Sequence, residues 1–320
     1  MKKFDSLRFV KKLISFSPRQ LKGEKLAGEF IQKTLVDFGV DFKLQNFRVT
    51  IPVYKKYYLM ADDRKIKCLP AALKSGKIEG KENIISSLDF SSDFCDIPNI
   101  NYNPYCPEIS LANYYFSPSL AIAPRELKRI LKAKKISGKV EIQKLNHKSC
   151  NILVGNIKVP ETISFAHYDS LETGATDNAS GTATIMEAVI SNPEILKDNL
   201  IVFSGAEEVS FDKPDYWGHG FRIFEKKYKK IMRKVKKIIV VDCVGNGRPR
   251  LIFEPKDLFL YFPILNLDEF SKKIFIIAGS DKRLMKVYHS KLDDLSCLRK
   301  GYLDMAVKKI LSLYRNKCLL

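Results

Sequence analysis

Three short apolar runs of β type, each ending in a residue that can bind a metal, constrain this chain more than any other feature. Thr162-Ile163-Ser164-Phe165 leads into His167 and Asp169, Leu200-Ile201-Val202-Phe203 into Glu207-Glu208, and Ile238-Ile239-Val240-Val241 into Asp242. Between them lie stretches of helical character, from about Ala179 to Ile190 and again where Phe224, Tyr228, Ile231 and Val235 recur at intervals of four, three and four. Further apolar runs, Arg250 to Phe253 and Lys273 to Ala278, precede a terminal helix from about Leu295 to Leu313. Alternation of this kind argues for an α/β domain with a mixed, largely parallel central sheet and helices on both faces. Such sheets place their sites beyond the carboxyl ends of the strands, where these side chains fall.

Two more stretches carry ligand-capable groups. Gly174-Ala175-Thr176-Asp177-Asn178-Ala179-Ser180-Gly181 puts Asp177 in a turn just before a helix, and His289 follows Tyr288 ahead of the terminal helix. His167 and Asp169 are two apart, so the strand period aims both the same way. Imidazoles and carboxylates are borderline and hard ligands that stay unprotonated near neutral pH, which suits zinc. Five such groups on separate elements can hold two ions about 3.5–4 Å apart. Each residue also has an ordinary reading. Paired glutamates are normally solvated, Asp242 can cap the turn to Gly245, and Tyr288 can simply pack. His147 and His219 lack motif neighbours and read as structural or surface histidines.

The ordered set His167-Tyr-Asp-Ser, Gly-Ala-Thr-Asp177-Asn-Ala-Ser-Gly, Ala-Glu207-Glu208, Val-Asp242-Cys-Val-Gly and Tyr288-His289-Ser resembles the co-catalytic zinc aminopeptidases. That group contains aminopeptidase Y, the bacterial leucyl aminopeptidases and, more distantly, glutaminyl cyclase. The resemblance implies two zinc ions, with cobalt or manganese as substitutes. His167 and Asp242 would hold one, Glu208 and His289 the other, and Asp177 would bridge them. It assigns Asp169 to the far nitrogen of the His167 ring, Glu207 to general-base work, and Tyr288 to a hydroxyl that steadies the tetrahedral intermediate. It also implies a cis Asp177–Asn178 peptide. The implied activity is that of a metal-dependent exopeptidase removing the N-terminal residue of a peptide or aminoacyl substrate. A single-zinc glutaminyl cyclase and a metal-free receptor or scaffold relative are the alternatives. Three departures bear on substrate choice more than on metal binding. Val209 to Gly220 replaces the turn usual after the second glutamate, the stretch from Asp242 to His289 is short, and a Ser-Asp-His-type segment before the last histidine is missing.

Residues 1–50 read as the opening of the catalytic domain: helical spacing over Phe9, Leu13, Phe16 and over Leu26, Phe30, Ile31, Leu35, Phe38, then a strand from Asp41 to Thr50. Residues 149–320 carry its main part, opening on a strand from Asn151 to Val154. Between them, residues 51–148 change character. Short β-like pieces alternate with turns, Ser91 to Tyr105 is loop-like, a helix runs near Arg125 to Lys134, and a strand covers Lys139 to Ile142. In position and pattern this resembles an inserted lid or protease-associated-like domain. Cys95 and Cys106 within it read as buried or free thiols.

Composition narrows the setting. The net charge of +19 raises nucleic acid as a partner, but the densest basic run, Lys226 to Lys237, has the apolar spacing of an amphipathic helix with a solvated face, which argues against that role. No run approaches a membrane span, and the basic start lacks a signal-peptide core. Seven cysteines without a CxxC pair argue for a reducing, cytoplasmic setting. The preferred N-terminal residue and the oligomeric state stay open.

Overall fold

The computed structural model describes residues 4–89 and 96–315. Cys95 lies outside them. In chain order the elements begin with α1 (Ser6–Ile14), α2 (Lys22–Asp37), β1 (Phe42–Ala61), β2 (Arg64–Ile66), β3 (Cys68–Pro70), β4 (Gly76–Glu79), β5 (Ile84–Ser86), β6 (Asn99–Tyr102), β7 (Ser119–Ile122), α3 (Leu127–Lys132) and β8 (Ile136–Gly155). They continue with β9 (Thr162–His167), α4 (Ser180–Ser191), β10 (Asn199–Ser204), α5 (His219–Lys234), β11 (Lys237–Val241), β12 (Arg250–Ile252), α6 (Pro255–Tyr261), α7 (Leu267–Phe270), β13 (Ile274–Ala278), α8 (Asp281–Leu284) and α9 (Lys300–Arg315).

Two compact units divide the chain. One holds the described residues up to Val49, His147–Leu284 and those from Asp293 onward; the other holds Thr50–Asn146 and Met285–Leu292. The segment bearing Tyr288 and His289 therefore belongs to the second unit, although it lies far along the chain from the rest of it.

The first unit is built on the parallel run β13-β11-β9-β10, flanked by antiparallel β12 at one side and β8 at the other. These strands are apolar on both faces because helices cover both, as parallel sheets require. Ile201, Phe203, Ile239 and Val241 face one core with Phe9, Leu13, Ile31, Leu35, Ile185 and Ile310 of α1, α2, α4 and α9. Leu200, Val202, Phe165 and Val240 face the other, with Phe221, Phe224 and Met232 of α5 and with Leu258, Phe262 and Phe270. Phe165 sits within an aromatic cluster, its centroid 5.0 Å from Phe224 and 4.8 Å from Phe262. The basic run lies mostly on the exposed face of α5, whose Phe221, Phe224 and Met232 are buried, but its last member, Lys237, opens β11 and is buried, donating to the Leu313 carbonyl at 2.7 Å.

The second unit has its own core of Leu59, Ile66, Ile78, Ile100, Leu120, Ile122, Ile130 and Val140. Its smaller sheet runs β3-β7-β6-β5, and β4 pairs antiparallel with β8. Several expectations need correction here. The strand read from Asp41 to Thr50 continues to Ala61, and the separate strands read at Lys139–Ile142 and Asn151–Val154 are one strand, β8. Asn99–Tyr102 is a strand inside the stretch read as loop; its alternating Asn side chains are buried, with the Asn101 amide donating to Ser119 Oγ at 2.8 Å. The α-helix read near Arg125 to Lys134 shortens to α3, and the terminal helix begins at Lys300 after a single 3-10 turn. Among the described residues no helix is long and apolar enough to cross a membrane.

Candidate metal centre

Three parallel strands end side by side and deliver most of the candidate ligands. His167 closes β9, Asp242 follows β11 directly, and Glu207 and Glu208 follow β10 by three and four residues. Asp177 comes from the irregular turn Ala175–Ala179 that opens α4, and its peptide to Asn178 is cis, as the resemblance implied.

The side chains converge on His167. Its Nε2 lies 3.1 Å from Asp177 Oδ1 and 3.6 Å from Asp242 Oδ1, while Nδ1 faces Asp169 Oδ1 at 3.5 Å. His167, Asp177 and Glu208 bring one ligand atom each within 4.8 Å of one another, and Asp177, Asp242 and Cys243 do the same. All are nearly removed from solvent, with His167 2%, Asp177 5% and Glu208 3% exposed. Cys243 was not anticipated. Its thiol donates to Asp242 Oδ1 at 3.3 Å, and burial, with Asp177 and Asp242 beside it, pushes its pKa well up, so it stays a protonated neighbour of the carboxylates.

Electrostatics show what the cluster asks for. Burial, then the charges of Glu208, Asp169 and Asp242, push the Glu207 carboxyl well above the ordinary range against the pull of His167. For His167 burial disfavours the cation, yet Glu207 and the hydrogen-bonding Asp169, Asp177 and Asp242 outweigh it and hold the pKa well above 6.5. Carboxylates gathered out of water repel one another unless a cation joins them. Imidazole nitrogen with carboxylate oxygens is a donor set that fits zinc.

The backbone carries a second sign of a built site. Five described non-glycine residues have positive φ: Ala206 (52°) precedes Glu207 and Cys243 (52°) follows Asp242 in the first unit, His289 (46°) lies in the second unit, and Leu21 and Asp62 (51° each) flank no candidate ligand. Strain of this kind persists where surrounding structure enforces it, commonly at functional positions. Gly181 shows why the second motif ends in glycine. A Cβ there would lie 2.3 Å from Asn178 Oδ1 and 2.4 Å from the carbonyl oxygen of Val241, so the turn could not close against β11.

Asp169 does more than face His167. It accepts the amides of Glu207 and Glu208, and the Gln20 side chain donates to it at 3.3 Å. Sequence reasoning missed Gln20, and also Arg19 and Asp293, which grip the backbone between Tyr168 and Asp177. None of the three carries a motif or spacing signal in the sequence.

Tyr288 and His289 lie in the second unit. There His289 Nδ1 is 3.0 Å from the carbonyl oxygen of Leu111, its ring stacks on Tyr288 with centroids 3.8 Å apart, and Ser110 Oγ donates to the Tyr288 carbonyl at 2.6 Å. His147 and His219 prove largely buried. His147 Nε2 sits 2.9 Å from the buried carboxylate of Glu24, and His219 Nε2 sits 3.2 Å from the Arg48 carbonyl oxygen.

Residues 154–262 match the profile of peptidase family M28. A search of curated proteins returns no match. Among solved structures the chain is similar to BSAP, a zinc aminopeptidase from Bacillus subtilis, at 16% identity and a TM-score of 0.68, over 98% of this chain and 95% of that one. It is similar also to an aminopeptidase from Aneurinibacillus sp. strain AM-1 (13%, TM-score 0.61, 96% and 93%) and to a glutaminyl cyclase from an Acidobacteriales bacterium (14%, TM-score 0.54, 98% and 94%). At such identities the likeness speaks for the fold, the mixed α/β architecture that the alternating runs implied. The family match falls on the group that the motif order resembles.

Proposed function

We propose, from the premise that residues 154–262 form a peptidase family M28 domain, that this protein is a zinc-dependent peptidase acting as an aminopeptidase. The observation that carries the reading is the convergence of Asp177 and Asp242 on His167 Nε2, with Glu208 within ligand reach and Glu207 beside it.

His167 and Asp242 would hold one zinc ion and Glu208 a second, with Asp177 available to both and His289 joining Glu208 on the strength of its motif. Zinc held there would supply Lewis acidity for a scissile carbonyl and would lower the pKa of water toward neutrality. Glu207 takes the proton of the attacking water and returns it to the leaving amine, a task its raised pKa suits. Asp169 Oδ1, 3.5 Å from Nδ1 of His167, favours the proton on that nitrogen, which would leave Nε2 as the lone-pair nitrogen. The Leu111 carbonyl does the same for Nδ1 of His289. The Tyr288 hydroxyl donates to the oxyanion as charge develops there. Recognition of the substrate's free ammonium falls to the carboxylate-rich surroundings of Glu207.

The test joins a metal count to a substrate screen. Purified protein is analysed for zinc per chain and assayed with aminoacyl p-nitroanilides, short peptides and an N-terminal glutaminyl peptide. Two zinc ions and release of the first residue support the proposal. One zinc with cyclisation of glutamine favours the cyclase, and a protein that takes up no zinc and turns over none of these substrates refutes the enzyme reading.

A further inference from the structure

We propose that Arg19 and Asp293 are positioning residues of the metal centre, fixing Asp177 relative to His167 by holding the loop between them from both sides. The inference rests on the assignment of His167 and Asp177 as zinc ligands.

The loop from Tyr168 to Asp177 joins the two motifs; within it Ser170 Oγ donates to the Glu172 carbonyl at 2.8 Å, and Ser17 Oγ reaches the Thr173 carbonyl at 2.7 Å. Arg19 is fully buried at 0% exposure and donates to three of its carbonyls: Nε to Tyr168 at 2.6 Å, Nη1 to Thr173 at 2.9 Å and Nη2 to Gly174 at 2.8 Å. The Arg19 backbone closes on the same loop, its amide donating to Ser170 Oγ and its carbonyl accepting the Ser170 amide, both at 3.3 Å. Asp293, 1% exposed, takes the amides. Thr176 N–H reaches both of its oxygens at 2.9 and 3.0 Å, Asp177 N–H reaches Oδ2 at 3.0 Å, and the Asp293 carbonyl accepts Ala175 N–H at 2.8 Å.

The division of labour follows from the chemistry of the two groups. A guanidinium is a rigid fork of donors with no acceptor, and a carboxylate has acceptors only. Together they hold the carbonyls of Thr173 and Gly174 and the amides of Ala175, Thr176 and Asp177. Burying two charges for this is costly, and neither group belongs to the set that would bind zinc or move a proton. Their common feature is the stretch of backbone they fix, which ends at Asp177. Gly174, at φ +63°, admits no side chain, since a Cβ there would lie 2.3 Å from the Asp177 carbonyl oxygen, 2.6 Å from Ser170 Cβ and 2.9 Å from Arg19 Nη2. Arg19 also sets a positive charge near Asp169, Asp177 and Glu208, which offsets part of their mutual repulsion.

Arg19→Lys keeps the charge and loses the fork; Asp293→Asn keeps the shape and puts an amide NH2 against one of the two backbone N–H groups. Zinc affinity is measured on each by competition with a chromophoric chelator, alongside thermal unfolding and the visible spectrum of the cobalt-loaded protein. Both variants should stay folded, bind zinc about 10- to 100-fold more weakly, as is usual when groups supporting ligands are lost, and show an altered cobalt spectrum. A purely structural role would lower the unfolding temperature and leave affinity and spectrum at wild-type values, and that result overturns the proposal. If either variant does not fold, Asp293→Glu, which retains both oxygens one methylene further out, carries the same measurement. Wild-type protein that binds no zinc refutes the function proposed above and this inference with it, whereas zinc-binding wild type with unchanged variants refutes this inference alone.

Discussion

Asp169 accepts the backbone amide of Glu207 on both carboxylate oxygens, at 3.0 Å each, and the amide of Glu208 on one of them at 2.9 Å. One buried side chain thus ties the end of β9 to the turn after β10, while facing the Nδ1 edge of His167. Orientation of the imidazole and placement of the paired glutamates are therefore a single event. Asp169→Asn should disturb both, because an amide offers one acceptor oxygen where the carboxylate offers two. We expect zinc affinity and kcat/KM each to fall about 10- to 100-fold, with far-UV circular dichroism unchanged. Unaltered affinity in that variant would show that Asp169 serves the turn alone.

Glu207 and Glu208 are neighbours with different expected losses. Glu207→Gln keeps volume and hydrogen bonding but removes the base, so activity should drop by about 10²- to 10⁴-fold with zinc content intact. Glu208→Gln should instead lose metal. Measuring zinc per chain in both variants checks the division; equal zinc loss in the two would remove Glu207 from the role of base.

The grouping of these side chains was readable in the sequence because the candidate ligands sit where strand pattern and motif coincide: His167 ends a run buried on both faces, and Asp242 follows another. Arg19 and Asp293 were unreadable because they act on backbone groups, which leave no spacing signature. The two long strands misled for a different reason. Residues 143–146 of β8, Gln-Lys-Leu-Asn, are exposed and mostly polar, so a continuous strand looks like a break between two short ones. Membership of Met285–Leu292 in the second unit is a matter of long-range packing, through Leu111 N–H to the His289 carbonyl at 2.9 Å and the Asn103 side chain to the Met285 carbonyl at 2.9 Å, and no local pattern encodes it.

Without metal, the centre should make the fold sensitive to rising pH. Burial lifts Asp293 from 3.8 to about 6, and lifts Glu24 and Glu207 as well. A carboxyl raised in the folded state contributes stability that is complete below its unfolded pKa and lost as pH rises through the folded one. For Asp293 that window runs from about pH 4 to about pH 6, and the loss is roughly 3 kcal/mol at 1.4 kcal/mol per unit. The exposed Glu269, lowered to about 2 by Arg233 and Lys229, acts in the opposite sense but below this window. Urea unfolding in the presence of a chelator should therefore show stability falling across that window, with the slope reduced in Asp293→Asn and reversed by added zinc. Stability that rises over the same range without metal would contradict the prediction.

The close backbone approach at Gly220 gives a prediction whose stability arm does not depend on metal. Gly220, in the first turn of α5, donates its amide to the Ala206 carbonyl at 3.2 Å, and a Cβ at this position would lie 2.0 Å from the Gly205 carbonyl oxygen and 2.4 Å from Ser204 Oγ. The obstacle is main chain, which cannot swing aside as a side-chain tip can. Gly220→Ala must push α5 off the turn that carries Glu207, and overpacking of this sort costs about 1–3 kcal/mol. Gly301, in the first turn of α9, supplies the contrast, since an added methyl there would meet nothing within 4 Å. Gly301→Ala should be neutral or stabilising by up to about 1 kcal/mol, through the smaller entropy of the unfolded chain. Chemical unfolding of the two variants, with kcat/KM measured at saturating zinc, separates the cases: Gly220→Ala should lose both stability and activity, and Gly301→Ala neither. A stable, fully active Gly220→Ala would show that the contact between α5 and the Gly205 turn is looser than the geometry states.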